Sequence, residues 1–266
     1  QLRDRGAVFV DSVTEVPEGS TVVFSAHGVA PKVRSGAIDR RLSMIDATCP
    51  LVTKVHVEAR KFAAQDYTIV LIGHDGHEEV EGTMGEAPDR IVLVQSVEDV
   101  DELEIADPNR VAFITQTTLS VDETHAIIQR LRQRFPSIVS PRTDDICYAT
   151  TNRQAAVKEL ASRSDLVLVI GSDNSSNSNR LVEVARECGV ESHLIDNELE
   201  LQEEWLEDKR VIGITSGASA PEELVQRLID FFREREDVPV EELHVVPEDV
   251  RFMLPKEIRQ AVAAAS

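Results

Sequence analysis

The sequence predicts an α/β fold with mainly parallel sheets, assembled from repeated units. Short runs of branched apolar residues alternate with amphipathic segments along the 266 residues, and this alternation is typical of parallel sheets. The motif Asp-x-x-Cys-x-x-x-Thr occurs at 46–53 and returns 98 residues later at 144–151. The register continues without a gap through Gly73 and Gly171, so one supersecondary unit has been used more than once. We therefore expect compact domains around a common centre.

The strands are predicted from apolar runs of four or five residues that end in polar or glycine-containing loops. In chain order they are Ala7–Val10, Val22–Ser25, Thr68–Ile72, Ile91–Val94, Val111–Thr115, Leu166–Ile170, His193–Ile195 and Val211–Thr215.

The helices are predicted from apolar periodicity and from their start signals. The stretch Gln1–Arg5 has the pattern of a helix end. Capping boxes pair Ser120 with Glu123 and Ser219 with Glu222, and they predict helices just after each serine. These helices are expected at Val121–Arg134 and Glu222–Glu234, and the acidic stretch after Glu236 is expected to return to the first domain and end in a frayed Ala-rich tail.

The repeat also predicts the domain organisation. The strand Thr21–Phe24 has no cysteine before it, and repeat spacing places the expected cysteine about 40 residues before Gln1. We therefore expect an N-terminally truncated chain, and a targeting peptide is left open. The domains are expected at 1–48 with the return segment 236–266, at 49–146 and at 147–235.

Composition excludes several classes of partner. The formal net charge of −20 argues against binding to nucleic acid or to an anionic membrane surface. No apolar run approaches the length of a membrane span. Three cysteines without paired spacings are no disulfide framework and favour a reducing compartment such as the cytoplasm.

Two of the cysteines are candidate metal ligands. Cys49 and Cys147 stand at equivalent places in the repeat, each at the start of a predicted helix, where the helix dipole favours a thiolate. With a third cysteine from a third repeat, they suit an iron–sulfur cluster that has one iron without a protein ligand. A Cys₃ zinc site or buried packing cysteines are the alternatives. Cys188 lacks the repeat context and is expected to be structural.

Polar loops after the strands form a candidate anion site. The register aligns His77 with Ser175 and Glu79 with Asn177, and both loops follow carboxyl ends of strands, where α/β sheets bind ligands. Serine, asparagine and histidine can donate hydrogen bonds to phosphate oxygens. The alternative is a pair of solvated loops. Strand-end segments around His27, Thr117 and Ser219 have the same setting, although Ser120 is read as a simple N-cap.

Seven sequence motifs extend over the whole chain. They are FSAHGVAPKVR (24–34), DATCPLVTKVH (46–56), GHDGHEEVEGTMG (73–85), TQTTLSVDET (115–124), DDICYATTNRQ (144–154), GSDNSSNSNRL (171–181) and TSGASAPE (215–222). Together they resemble the 4-hydroxy-3-methylbut-2-enyl diphosphate reductase family, also called the IspH or LytB family. The resemblance implies three similar α/β domains in a pseudo-threefold arrangement around a central cleft, the first domain being incomplete here.

The resemblance also implies the chemistry. A 4Fe-4S cluster held by three cysteines reduces the substrate to isopentenyl and dimethylallyl diphosphate, in isoprenoid precursor synthesis by the methylerythritol phosphate pathway. Electrons come from a carrier such as ferredoxin or flavodoxin, and a monomer is expected. Cys49 and Cys147 are implied cluster ligands, Glu79 the proton donor, Thr117 its hydrogen-bond partner, and His27, His77, Ser175, Ser176, Asn177 and Ser219 the diphosphate-binding residues.

Two consequences and two other functions stay open at this point. Because the third cluster cysteine is expected before Gln1, this chain alone is expected to be inactive. A zinc- or cysteine-dependent hydrolase acting on a diphosphate would explain the same residue types. A non-catalytic anion-binding protein would explain the polar loops alone.

Overall fold

The computed structural model describes residues 2–265 and confirms the α/β class with parallel sheets. The strands are β1 (Thr21–Phe24), β2 (Ser43–Asp46), β3 (Thr68–Ile72), β4 (Ile91–Val94), β5 (Val111–Thr115), β6 (Leu166–Ile170), β7 (Glu191–Ile195) and β8 (Ile212–Ser216). The helices are α1 (Pro31–Asp39), α2 (Pro50–Ala64), α3 (Glu78–Met84), α4 (Val97–Glu102), α5 (Val121–Arg134), α6 (Tyr148–Ala161), α7 (Ser176–Glu187), α8 (Glu222–Arg235) and α9 (Lys256–Ala265).

The described strands form three parallel sheets, and two of these sheets repeat one pattern. Their orders are β1-β2, β4-β3-β5 and β7-β6-β8. In both three-stranded sheets the central strand follows a helix that begins at a cysteine, α2 in one and α6 in the other. The 98-residue repeat is therefore a repeat of structure as well as of sequence.

The central strands are buried because helices cover them. Alternate residues of β6 enter different core clusters: Val167 and Val169 pack with α6 and α7, while Leu168 packs with Leu228 of α8. Such two-sided burial explains the continuous apolar run of this strand. In β3, Leu71 packs in a cluster formed with α2 and α3.

The described chain forms two compact units. One takes in the chain up to Gln116, residues 127–145 and the chain from Val250 onward; the other takes in Thr117–Ala126 and Ile146–Asp249. Each predicted domain contains one of the three sheets, and the predicted domain boundaries and threefold arrangement stay predictions. Within the first unit, α9 packs against β2, so the predicted frayed tail is helical in its described part.

Several element predictions need correction. Ala7–Val10 is not a strand: its side chains are exposed and Val8 is 85% exposed, so the run has no sheet to join. The short strand β2 was missed. The Ser219–Glu222 capping box is wrong, since α8 begins at Glu222 after Pro221 and has no side-chain cap.

The remaining element predictions hold with small shifts. Ser120 accepts a hydrogen bond from the Glu123 backbone at 3.3 Å, which is the forward half of the predicted box. Arg3–Arg5 forms a short 3₁₀ helix, and Gln1 lies outside the described residues. The predicted strands near β7 and β8 extend or move by one or two residues. No helix in the described range is long and apolar enough to cross a membrane.

Candidate active site

Cys49 and Cys147 occupy the same structural position in their repeats. Each is the N-cap residue of its helix, with extended backbone and no side-chain cap hydrogen bond. The Cys49 backbone N–H donates to the Ala26 carbonyl at 3.0 Å, and the Cys147 N–H donates to the Thr117 carbonyl at 2.9 Å. Both thiols are free and partly buried. The backbone of each cysteine is thus tied to a loop that follows a strand, while its sulfur remains available.

These two positions fit thiolate ligands of a metal cluster. A helix N-terminus favours the thiolate, and iron–sulfur clusters take thiolates as their usual protein ligands. Among residues 2–265, no three His, Cys, Asp or Glu side chains converge as a complete metal site. Each repeat offers one cysteine at this position, and its role as a cluster ligand stays a prediction. Cys188, expected to be structural, is the exposed C-cap residue of α7 and supports no packing role.

His27 and His77 lie together in the first unit. Their ring centroids are 5.3 Å apart in an edge-on arrangement, and the Nδ1 atom of His27 is 2.8 Å from the Oε2 atom of Glu78. Burial and the neighbouring His27 lower the pKa of His77. His77 Nδ1 accepts the backbone N–H of Glu79 at 3.1 Å. In the neutral ring the proton is therefore on Nε2, which makes His77 a donor toward a ligand.

Glu79 is the buried acid of the same loop. It is the second residue of α3, and its side chain is 1% exposed. The cap bond to His77 fixes the backbone of Glu79, which limits the positions that the carboxyl group can reach. Glu79 is therefore a buried carboxyl group on a fixed piece of backbone, and its role as a proton donor stays a prediction.

The corresponding loop of the second unit carries only neutral donors. Ser175 is the N-cap of α7 and accepts from the Ser178 backbone. The Oδ1 atom of Asn177 accepts the Ala218 N–H at 2.9 Å, which directs the amide nitrogen of Asn177 the other way. That nitrogen is buried without a hydrogen-bond partner among the described residues. Since an unsatisfied buried donor costs roughly 1–3 kcal/mol, its position indicates a place for an acceptor-rich ligand.

The other predicted residues of the second unit lie around this loop. The Thr118 hydroxyl donates to the Ser176 hydroxyl at 3.2 Å. Thr117 is 4% exposed, and Ser219 is exposed next to Ala218. A hydrogen bond between Thr117 and Glu79 stays a prediction.

The structure thus sorts the predicted site residues into two groups. The first unit brings together His27, Cys49, His77 and Glu79. The second unit brings together Thr117, Cys147, Ser175, Ser176, Asn177 and Ser219. The functional roles of these residues stay predictions.

Sequence reasoning missed an anchor that supports the segment before Cys147. The Lys54 ammonium group donates to the Thr143 and Asp144 carbonyls at 2.7 and 2.8 Å and to the Asp145 carboxylate at 2.9 Å. The other oxygen of Asp145 accepts the Thr115 N–H at 3.0 Å. Lys54 was visible in the motif, but its partners are about 90 residues away in sequence.

Glu58 completes this anchor as a carboxyl group with a raised pKa. Burial and then the charge of Asp145 raise the pKa of Glu58 to about 7. Burial also raises the pKa of Asp145, so the two carboxyl groups compete for one proton. Both oxygens of Asp145 already accept hydrogen bonds, whereas the Oε2 atom of Glu58 is buried and has no hydrogen-bond partner in the described chain. We therefore place the shared proton on Glu58 at pH values below its pKa.

This chain is similar to several known proteins along most of its length. The chain is 54% identical over 264 residues to the 4-hydroxy-3-methylbut-2-enyl diphosphate reductase of Leifsonia xyli, covering 99% of the chain and 78% of that protein. It is 57% identical over 259 residues to the protein of the same name from Nocardia farcinica, covering 97% and 77%. A solved structure of the E-1-hydroxy-2-methyl-but-2-enyl-4-diphosphate reductase from Plasmodium falciparum matches with a TM-score of 0.95 at 37% identity, covering 99% of this chain and 84% of that one.

The family model described as LytB protein matches residues 1–233. The resemblance found in the sequence motifs is thereby confirmed, and the chain belongs to the LytB family.

Proposed function

We propose that this protein, when its cluster is complete, catalyses the reductive dehydroxylation of 4-hydroxy-3-methylbut-2-enyl diphosphate to isopentenyl and dimethylallyl diphosphate. Replacing the hydroxyl group with hydrogen consumes two electrons and two protons and releases water. The observation that carries the proposal is the buried, unpartnered amide nitrogen of Asn177 at the start of α7. Family membership identifies the acceptor-rich group that this donor would meet as a diphosphate.

The second unit supplies donors for phosphate oxygens. The N-terminus of α7 carries a partial positive charge, and no acidic residue stands in its first turn. The Asn177 amide and the hydroxyl groups of Ser175, Ser176 and Ser219 add neutral donors. In the first unit, His77 offers its Nε2–H group, and the His27 ring lies beside it. These groups bind the diphosphate without lysine or arginine.

Glu79 supplies a proton to the departing hydroxyl group. A neutral carboxyl group can protonate the oxygen so that it leaves as water, and a positioned general acid contributes about 10²–10⁴ in rate. The resemblance to the family further implies that Thr117 hydrogen-bonds the substrate hydroxyl group. The His77 cap bond keeps the backbone of Glu79 fixed during this transfer.

Cys49 and Cys147 would hold the cluster. When bound, a 4Fe-4S cluster supplies single electrons and an iron that can take an oxygen ligand. The repeat further predicts a third cysteine outside residues 1–266, and this stays a prediction. The electrons come from a small carrier such as ferredoxin or flavodoxin, and the cysteine pattern favours a reducing compartment such as the cytoplasm.

The test is an anaerobic assay of purified protein that carries the predicted third cysteine, with chemically reduced methyl viologen as the electron source. Residues 1–266 alone are the comparison sample and are expected to be inactive. The expected products are isopentenyl and dimethylallyl diphosphate, formed with two electrons consumed per turnover. Iron analysis on the same sample should show iron and acid-labile sulfide. Zinc in place of iron, together with release of inorganic phosphate, would instead identify the hydrolase alternative and overturn the proposal.

A further inference from the structure

We infer that Ser178 is a positioning residue that sets the Ser175 hydroxyl group as a pure hydrogen-bond donor toward the diphosphate. The inference rests on the proposed function, because it needs a ligand with acceptor oxygens at this loop. It concerns a residue outside the set of predicted ligand-binding side chains. Ser178 is 1% exposed and lies behind Ser175.

The hydrogen bonds at Ser175 determine the direction of its proton. The Ser175 Oγ atom accepts from the Ser178 backbone N–H at 3.3 Å and from the Ser178 hydroxyl group at 2.9 Å. A hydroxyl group has two acceptor lone pairs and one proton. With both lone pairs used, only the O–H bond of Ser175 remains for a ligand. None of the described hydrogen bonds uses that proton.

The backbone at two glycines lies close to the Ser178 side chain and restricts the space around its hydroxyl group. Gly171 follows β6, and Gly217 follows β8. A Cβ atom at either glycine would overlap the Ser178 Oγ atom. Two strand ends therefore enclose this side chain, and the enclosure holds its hydroxyl group against Ser175. A hydroxyl group fixed in this way keeps its partner in one orientation.

The first repeat shows why a serine is needed in the second. Gln116 and Gly217 are equivalent because each donates its N–H at 2.8 Å to the last residue of the central strand, Ile72 or Ile170. At the position of Ser178 the first repeat has Val80, which packs on Gly73. The cap residue there is an imidazole whose acceptor nitrogen is already used. Only the repeat with a hydroxyl cap has a second hydroxyl group to direct it.

A double-mutant cycle tests this role with inorganic diphosphate as the probe and calorimetry as the measurement. Ser178→Ala frees one lone pair of Ser175, so its proton no longer has one preferred direction. We expect binding to weaken about fivefold to tenfold, the usual worth of one hydrogen bond. In a Ser175→Ala background, Ser178→Ala should change binding less than twofold, because Ser178 acts only through Ser175.

Ser192 provides the matched control. Ser192 lies in β7 and is also buried, at 1% exposure. Its hydroxyl group donates to the carbonyl of Val182 in α7, the helix that contains Ser178, at 2.9 Å. Ser192→Ala should lower the melting temperature as much as Ser178→Ala does but leave diphosphate binding unchanged. If Ser178→Ala and Ser192→Ala weaken diphosphate binding equally, Ser178 only contributes to packing. The same follows if Ser178→Ala still weakens binding in the Ser175→Ala background. If Ser175→Ala itself leaves binding unchanged, both this inference and the proposed diphosphate site are overturned.

Discussion

The loops that begin α3 and α7 occupy the same place in their repeats and use the same backbone frame. In each, the N-cap side chain accepts a backbone N–H from the first turn, and the second helical residue is buried. The caps are His77 and Ser175, and the buried residues are Glu79 and Asn177. One frame therefore presents a carboxyl group in the first unit and an amide group in the second.

The charges of the two first turns differ as much as the side chains. The first turn of α3 contains three glutamates, whereas that of α7 contains no acidic residue. An anion is favoured at a helix N-terminus only where other negative charges do not already occupy it. We therefore expect phosphate binding mainly at α7 and proton supply at α3. The two loops thus share one backbone conformation but carry different side chains at the cap and in the first turn.

The cysteines are the part of the comparison in which the two repeats should remain equal. Cys49→Ser and Cys147→Ser should each remove the cluster and reduce turnover below detection, because serine oxygen is a poor substitute for thiolate at iron. Cys188→Ser is the matched control and should retain iron and activity. Iron content and the visible absorption of the anaerobic protein measure this. A variant that loses one repeat cysteine but keeps full iron would break the symmetry and the cluster assignment.

Glu79 is the position at which the repeats should differ most. Glu79→Gln keeps the shape of the side chain but cannot release a proton. Turnover should fall by roughly 10²–10⁴, while binding of inorganic diphosphate changes less than about threefold. Steady-state kinetics and calorimetry on one preparation separate the two effects. Loss of binding with unchanged single-turnover reduction would make Glu79 a residue that orders the loop.

The repeated part of this structure could be predicted from sequence, because its signals are local. Continuous apolar runs identified β3, β5 and β6, which helices bury, and the register between Cys49 and Cys147 identified their helix starts. β2 escaped because its four residues, Ser43–Asp46, include only two apolar side chains and so form no apolar run. The strands β3, β5 and β6 each contain a longer run of apolar residues.

The supporting contacts of the site could not be predicted in the same way. The position of Ser178 was readable from the repeat, but the direction of its hydroxyl group depends on two strand-end glycines that follow different strands. The bond from Lys54 to Asp145 joins residues 91 positions apart. One sequence contains no pattern that specifies such pairs, because either residue alone fits an exposed surface.

Asn177→Asp would make the second loop resemble the first. The change removes two amide donors and places a carboxylate beside the expected phosphate oxygens. We expect diphosphate binding to weaken by about 10–100-fold, from lost hydrogen bonds and charge repulsion. Asn177→Ala is the neutral control and should weaken binding less. If the two variants bind equally well, charge in the first turn of α7 does not determine where the phosphate binds.

The helices that follow the two cysteines offer the smallest test of the comparison. In the second unit, neutral Gln154 of α6 anchors the segment before α5: its amide nitrogen donates to the Leu119 carbonyl at 2.8 Å, and its oxygen accepts the Val121 N–H at 3.1 Å. In the first unit, α2 uses Lys54 and Glu58 for its anchor at Asp145. Only the anchor of α2 can gain or lose protons near neutral pH.

The pKa of Glu58 determines the expected pH dependence. Because burial and Asp145 raise this pKa from an ordinary 4.5 to about 7, the folded state holds the proton more tightly than the unfolded chain. The contribution of Glu58 to stability is then most favourable below pH 4.5 and declines as the pH rises to about 7. Glu58→Gln removes this decline, so its stability relative to the unsubstituted protein should rise between pH 4.5 and 8. Since Glu58 is partly exposed, we expect a gain on the order of 1 kcal/mol at pH 8.

Urea unfolding at several pH values measures this difference in the free energy of unfolding. Gln154→Ala changes no ionisable group, so its difference from the unsubstituted protein should not depend on pH. If the stability difference between Glu58→Gln and the unsubstituted protein is also independent of pH, Glu58 does not carry the proton. The anchors of α2 and α6 would then not differ in their response to pH.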